Sequence, residues 1–585
     1  MKKRMYKMVA LLLSVAMAFG LTACGGGDGE ETNRKRGKKK VSFWAPVGEN
    51  NQETMLAIVE EFNKTHEDIT VTLVPQSTGY SSNLANVLRG GSPPDVVVIE
   101  DKYFKNYVKE GYLEKLDDYI AADEKFSLDD MWESAVNRYS YNPESGYSGT
   151  GSDQYAIPSG NNPSILYYNK DLFEEQKVNI ISVGEEELED YNSKNGASYL
   201  PHGYYVYDTA PAQGLTARAD GKYYVFNNQI PTNWEELVEL SKLFTKSYNN
   251  SSSSTYGFLN EWWFSHGWSV GGDCLEWDEE QQQYIFNLGD ETPNYLVTGA
   301  EGATVNGTQY AGGDLLSYED KKYVKAHASD SDIAGYISSE TLYRLPSIRD
   351  AFTEFVRLSQ TKERTVTDGV YGYAVSPSPT TLGNNSKSSY FTTGEVAIVC
   401  ETYDACYTIG RAMETLGKEW DVAPMYQYRE YNSDGTPKTV NGTTIYGKVA
   451  GHSVLEGYAI PAQSKNKEAA WEFIKYLAGQ EGQTAMIKTN NFVPNSVSLS
   501  NSEAYLNATD NCAPGNKKAV VYMSEAATVG DWSYVEDGEW INGWANILNT
   551  QVRDGNMTLD QFFENATVKA TDELLKKYTS KKYNK

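Results

Sequence analysis

The spacing of apolar residues changes repeatedly along this chain, and each change predicts an element. Val41-Ser42-Phe43-Trp44-Ala45 reads as a strand, after which Met55, Ile58, Val59 and Phe62 recur at helical spacing and lay one apolar stripe on a core. Ile69, Val71 and Leu73 alternate with Thr70 and Thr72, a second strand, and a short helix fits 81–88. Val96-Val97-Val98-Ile99 follows Pro93-Pro94-Asp95 and is apolar on both faces, as a buried parallel strand requires. This strand–helix alternation predicts an α/β lobe with right-handed crossovers. Later, Pro231-Thr232-Asn233-Trp234-Glu235 predicts a capping box with Thr232 as N-cap, continued by Leu237, Leu240 and Phe244. Ala470, Phe473, Ile474 and Leu477 predict another amphipathic helix, and Val396 to Cys400 another strand. Two stretches, about 177–229 and 278–345, are rich in Tyr, Gly, Asp and Glu, weakly periodic, and read as insertions decorating a lobe.

The chain begins differently. Lys2, Lys3, Arg4 and Lys7 precede an apolar run from Val9 to Gly20 and then Leu21-Thr22-Ala23-Cys24, the layout of a secretory signal peptide over 1–23. The run is too short to span a bilayer comfortably. Leu-Thr-Ala-Cys resembles a bacterial lipobox, which implies that the Cys24 thiol is lipidated and that cleavage leaves it as the new first residue; the alternative is an ordinary signal peptide with a chance cysteine. Residues 24–40 are Gly-rich, then basic through Arg34, Lys35, Arg36 and Lys38 to Lys40, and read as a flexible tether.

Cleavage after Ala23 removes four positive charges and takes the net charge from −27 to −31. Such a surface excludes nucleic-acid binding by counterion release. The length calls for two lobes or more. The later cysteines, Cys274, Cys400, Cys406 and Cys512, are too few for a disulfide framework; Cys400 and Cys406 are close in sequence and are a candidate pair, with a reduced, partly buried pair as the other, favoured reading. No Cys-x-x-Cys or Cys/His cluster suggests a zinc site, and no cofactor is expected.

Taken in order, several segments resemble the family 1 extracellular solute-binding proteins, the receptors of carbohydrate ABC importers. They are Phe43-Trp44-Ala45, Phe62-Asn63-Lys64 with Asp68-Ile69-Thr70-Val71, Gly90 to Val96, Gly111 to Asp117, Tyr155-Ala156-Ile157-Pro158, Leu166 to Phe173, Pro231 to Leu237, and Tyr458 to Pro461 followed by Ala469 to Phe473. The resemblance implies an α/β, two-lobed periplasmic-binding-protein-like fold of the class II type, with discontinuous lobes joined by a hinge. The N-terminal lobe would take 41–160 plus 424–486 and the C-terminal lobe 161–423 plus 487–585. It also implies an oligosaccharide ligand, membrane permease subunits as partners, a monomer, and a lipid-anchored place on the outer face of a Gram-positive-type cell membrane.

Carbohydrate clefts combine flat aromatic faces with carboxylates and amides, and this chain has 44 Tyr and 12 Trp. Trp44, Glu49, Tyr80, Glu100 and Asp101 lie at strand ends in the first lobe, where α/β sheets present ligands. Helix capping is an equal reading of Glu100 and Asp101. Trp262, Trp263, Trp268 and Asp273 surround Gly271-Gly272 in the second lobe. Glu401 and Tyr403 follow a strand, Glu456 stands where relatives often carry an aromatic, and Trp532 and Trp540 lie in an acidic stretch. Each Trp is also a candidate for plain core packing. Rival functions are a receptor of the same fold for a peptide or polyamine, or one serving a sensor, and a secreted glycoside hydrolase with paired carboxylates. Against the last, the chain has no Gly-x-Ser-x-Gly elbow, His-Glu-x-x-His or Walker A loop.

Overall fold

A computed structural model describes residues 38–48, 51–76, 79–260, 263–361, 363–489, 492–509, 513–528 and 539–578. The leader and Cys24 lie outside them. From Lys39 onward the chain forms one unit organised around two sheets.

The first sheet contains β1 (Lys39–Pro46), β2 (Ile69–Gln76), β3 (Val96–Glu100), β4 (Ala156–Pro158) and, far along the chain, Glu456–Ala459. The second contains β5 (Ser164–Asn169), β6 (Tyr256–Leu259), β7 (Val396–Thr402) and β8 (Trp420–Ala423), so Glu456–Ala459 is β9. Strand order is β2-β1-β3-β9-β4 in the first sheet and β6-β7-β5-β8 in the second. β1 runs parallel to β2 and β3, while β9 runs antiparallel to β3 and β4. The all-apolar run of β3 is therefore buried, as its sequence predicts, but its second neighbour is antiparallel.

Helix α1 (Gln52–Thr65) buries Met55, Ile58, Val59 and Phe62, the expected stripe. Phe62 and Phe43 meet Phe473 edge-on, at 4.9 and 5.2 Å between ring centroids, so strand β1 and two helices distant in sequence share one core. The helix predicted over 81–88 is Tyr80–Gly90, and the one marked by Ala470 to Leu477 is Lys467–Ala478. The capping box sits one residue later than predicted. Asn233 is the N-cap, with Glu236 as its reciprocal partner. Thr232 donates no cap; its carbonyl accepts from Gln427 N–H at 3.0 Å, which holds it in extended chain.

Both inserted stretches have small cores of their own. The first forms a three-stranded sheet (Val178–Ile181, Tyr223–Asn227, Tyr204–Tyr207) over Val183, Leu188, Tyr199, Val225 and Ile230. In the second, Val297, Val305, Val324 and Leu342 belong to another cluster. After β8 the chain does not return to the first sheet at 424. It runs first along these insertions, with Arg429 ion-paired to Glu185, Thr443 Oγ1 accepting from Gly299 N–H at 2.9 Å, and Ile445 packed on Leu296 and Leu345. It reaches the first sheet only at β9. Cys274, Cys400 and Cys406 are buried free thiols; burial pushes Cys400 up to about 12, so a thiolate able to form a bridge is suppressed. Cys512 lies outside the described residues. No described helix is long and apolar enough to cross a membrane.

Candidate ligand-binding cleft

Residues 159–163 carry the chain from β4 to β5, and residues 453–455 lead back into β9. The two crossings are tied together. Ser453 Oγ donates to Asn161 Oδ1, Val454 N–H to Asn162 O at 3.2 Å, and Asp404 N–H to Asn162 Oδ1 at 2.9 Å. Gly160 admits no side chain here, because a Cβ would stand 2.6 Å from the Val493 carbonyl oxygen and 2.3 Å from the Phe492 ring. Few strands crossing at one tight place is the geometry of a hinge.

A cavity of about 220 Å³ opens beside this junction, lined among others by Pro46, Met55, Ser159, Asn162, Asp404 and Glu456. Its walls thus come from the ends of both sheets. Glu456 and Glu100 are directly paired across β9 and β3, so two carboxylates share one face at the sheet edge. Glu100 accepts from Ser81 Oγ and pairs with Lys102 at 2.5 Å. Burial pushes Glu456 up to about 7, helped by the charges of Glu100, Asp404 and Asp101 and opposed by Lys102. Asp101 is buried against Arg138, Oδ2 to Nη2 2.7 Å; burial raises its carboxyl and Arg138 counteracts. Arg138 also donates to Ser453 O at 2.5 Å, which links the carboxylate cluster to the returning crossing.

The junction brings together Glu100, Asp101 and Glu456, with Asp404 facing them. The Glu100 carboxylate caps no helix N–H, whereas Asp101 Oδ1 accepts from Lys102 N–H at 2.8 Å. Trp44 is half-buried one residue before the cavity wall. Glu401 is half-buried and held 3.2 Å from Lys387. Tyr80 is a strut, its hydroxyl donating to Val98 O at 2.7 Å and accepting from Val98 N–H. Tyr403, Trp268, Asp273 and Trp540 are also buried and present no free face in this form. Trp268 packs on Phe264 at 4.3 Å and Trp540 on Trp544 at 6.2 Å, so these rings fill core. Trp263 is half-buried, edge-on to Trp544 at 4.9 Å. Glu49, Trp262 and Trp532 lie outside the described residues.

Three contributors escaped the sequence reading. Asp404 ends the same strand exit as Glu401 and Tyr403, so strand-end position alone pointed to it. Asn162 and Arg138 carry no local signal, since Asp404 and Ser453 lie hundreds of residues away from them and Asp101, the other partner of Arg138, stands on a different element. Among the described residues no cluster of His, Cys, Asp and Glu is arranged to hold a metal ion.

Residues 57–513 match the model of the bacterial extracellular solute-binding protein family. The chain belongs to this family. Solved structures share its two-lobed fold. An ABC substrate-binding protein of Listeria monocytogenes in complex with cycloalternan is 17% identical, with TM-score 0.56 over 93% of this chain and all of the other. A cyclic alpha-maltosyl-1,6-maltose binding protein of Arthrobacter globiformis is 13% identical, with TM-score 0.53 and coverage of 93% and 100%. The sugar-binding protein MalE of Xanthomonas citri is 14% identical, with TM-score 0.52 and coverage of 93% and 98%. In this solute-binding protein the tied crossings join the two sheets.

Proposed function

We propose that this solute-binding protein captures an oligosaccharide between its lobes and delivers it to the permease of an ABC importer, without covalent change to the ligand. The observation that carries the reading is the convergence of Glu100, Glu456 and Asp404 at the facing ends of the two sheets, where Glu456 and Asp404 line one cavity and Trp44 stands one residue before its wall. Carboxylates accept hydroxyl protons in fixed directions, and an aromatic face covers the axial C–H patches of a sugar ring. The sugar ligands named for the structural neighbours support the same class.

A thermal-shift screen of saccharides, polyamines and peptides tests this. Saccharides are expected to raise the melting temperature, with no reducing ends released. Stabilisation by a polyamine or peptide, with every saccharide silent, overturns the sugar reading; release of reducing ends favours a hydrolase. Trp44→Ala is expected to weaken the best saccharide about tenfold by calorimetry, since an aromatic contact adds roughly 0.5–1.5 kcal/mol beyond burial.

We further read Cys24 as a lipidated anchor. More than one acyl chain holds a protein at a membrane, and a tethered receptor stays near its permease. Cys24→Ala is expected to move the protein from the cell membrane fraction to the medium with ligand affinity unchanged. Equal membrane retention of both forms would rule the anchor out.

A further inference from the structure

Away from the crossings, a second and larger recess of about 1160 Å³ lies between the first insertion, the segment after β8, and helix Lys517–Glu525. It shares no lining residue with the cleft cavity. Asp421 on its wall pairs with Tyr168 in β5, four residues from Ser164 at the cleft end, about 13 Å along the strand. Its volume exceeds the roughly 300–1,000 Å³ of most small-ligand sites and suits an extended chain better than one ring.

We propose that this groove is a second carbohydrate-binding site, which holds a segment of glycan outside the cleft. Three features of its lining carry the assignment. First, Tyr446 and Tyr522, 48% and 40% exposed, both line it. Both rings keep part of their surface open for stacking, with the Arg429 guanidinium 5.8 Å from the centre of the Tyr446 ring. Second, its polar groups are fixed before any ligand arrives. The Asn516 amide donates to Asn228 O at 2.6 Å and Val422 O at 2.9 Å and accepts from Gln229, while Arg429 grips Glu185 through both nitrogens, Nη1 to Oε2 at 2.8 Å. Third, two of the lining residues are more than nine-tenths buried and keep a polar atom without a hydrogen-bond partner, Asn228 Oδ1 and Arg429 Nε. Buried polar groups are normally satisfied, and these two atoms, sealed from solvent behind the groove wall, become partners for a hydroxylated occupant once the side chains around them shift. The lips approach at Lys518 and Glu187, 3.9 Å apart and both exposed, so the charged pair can part at little cost. The wall carries Glu185, Glu186, Glu187, Asp421 and Glu503 against Arg429, Lys517 and Lys518, and this acidic excess disfavours a polyanion, while the pairing of Glu185 with Arg429 and of Glu187 with Lys518 leaves part of it neutral for a hydroxyl-rich chain.

The test uses the full chain on a glycan microarray of linear, branched and cyclic saccharides, with Tyr446→Ala/Tyr522→Ala, Asp404→Ala and the triple variant. The two tyrosines are exposed, so their removal is expected to leave the melting temperature and short-saccharide binding at the cleft unchanged. Asp404→Ala is expected to retain binding to the longer saccharides, the tyrosine variant to lose at least tenfold on them, and the triple variant to lose all binding. Unchanged binding by the tyrosine variant on every spot overturns the groove while leaving the cleft reading intact. Complete loss in Asp404→Ala also overturns it, because all binding then runs through the cleft. A wild-type chain that binds no spot overturns it as well, and the saccharide thermal-shift screen then decides the cleft separately.

Discussion

Arg138→Ala is expected to destabilise the protein by about 3–5 kcal/mol near neutral pH, the loss typical when one partner of a buried ion pair is removed. The Arg138 and Asp101 side chains are 3% and 7% exposed and lie 2.7 Å apart. Arg138 also donates to Ser453 O, so its loss orphans a carbonyl in the returning crossing as well as a carboxylate. Urea denaturation followed by tryptophan fluorescence measures the effect. Its pH dependence separates the two losses. Burial already raises the Asp101 carboxyl, and without Arg138 it rises further. A carboxyl raised in the folded state contributes stability at low pH that is lost as pH climbs through its folded value. The gap between variant and wild type should therefore shrink from pH 8 to pH 5, and an equal gap at both would show that the carboxylate carries none of it. Arg138→Met/Asp101→Leu, which removes both charges, should be less damaging than Arg138→Ala alone.

Much of the first lobe was legible because its elements face a single core. Val41, Phe43, Val71 and Phe62 are spaced for one buried face, and the structure buries all four. Where two local solutions overlapped, tertiary contact chose. Thr232–Glu235 and Asn233–Glu236 both spell a capping box, and the chain takes the second because Gln427 holds Thr232 extended while the Asn233 amide reaches Arg429 O at 3.2 Å. The segment 427–447 was illegible for a related reason: the insertions hold it, not a periodic stripe of its own. Site residues divide the same way. Glu100 and Glu456 end or begin strands, and position alone brought them to the cleft edge. Bulk favours burial, so Trp268 and Trp540 sit in core while two exposed tyrosines, Tyr446 and Tyr522, line a groove no motif announced. Arg138 is invisible in sequence because its partners become neighbours only after both sheets form.

Glu456→Gln is expected to stabilise the protein by about 1–2 kcal/mol at pH 8 and to leave it nearly unchanged at pH 4.5. The carboxyl faces Glu100 and Asp101 from the neighbouring strand and helix and Asp404 from the second sheet, with Lys102 the opposing charge, and its value moves from 4.5 to about 7. A displacement of that size corresponds to at most roughly 3 kcal/mol, and the partial exposure of the side chain reduces it. The fold prefers the protonated form, so the stability it confers is complete below pH 4.5 and is lost as pH rises through 7. Glutamine keeps the shape and a hydrogen-bond donor while removing the charge, which flattens that window. Urea titrations of both proteins from pH 4.5 to 8 measure it; parallel stability curves would show that the carboxylate cluster is not repelling itself. The same cluster couples to the ligand. A saccharide hydroxyl that donates to Glu456 favours its charged form, so binding between pH 5 and 7 should release a proton in the wild type and none in Glu456→Gln, read by calorimetry in buffers of different ionisation enthalpy. Under the proposed function, ligand hydroxyls that donate to these carboxylates offset the repulsion among Glu100, Glu456 and Asp404.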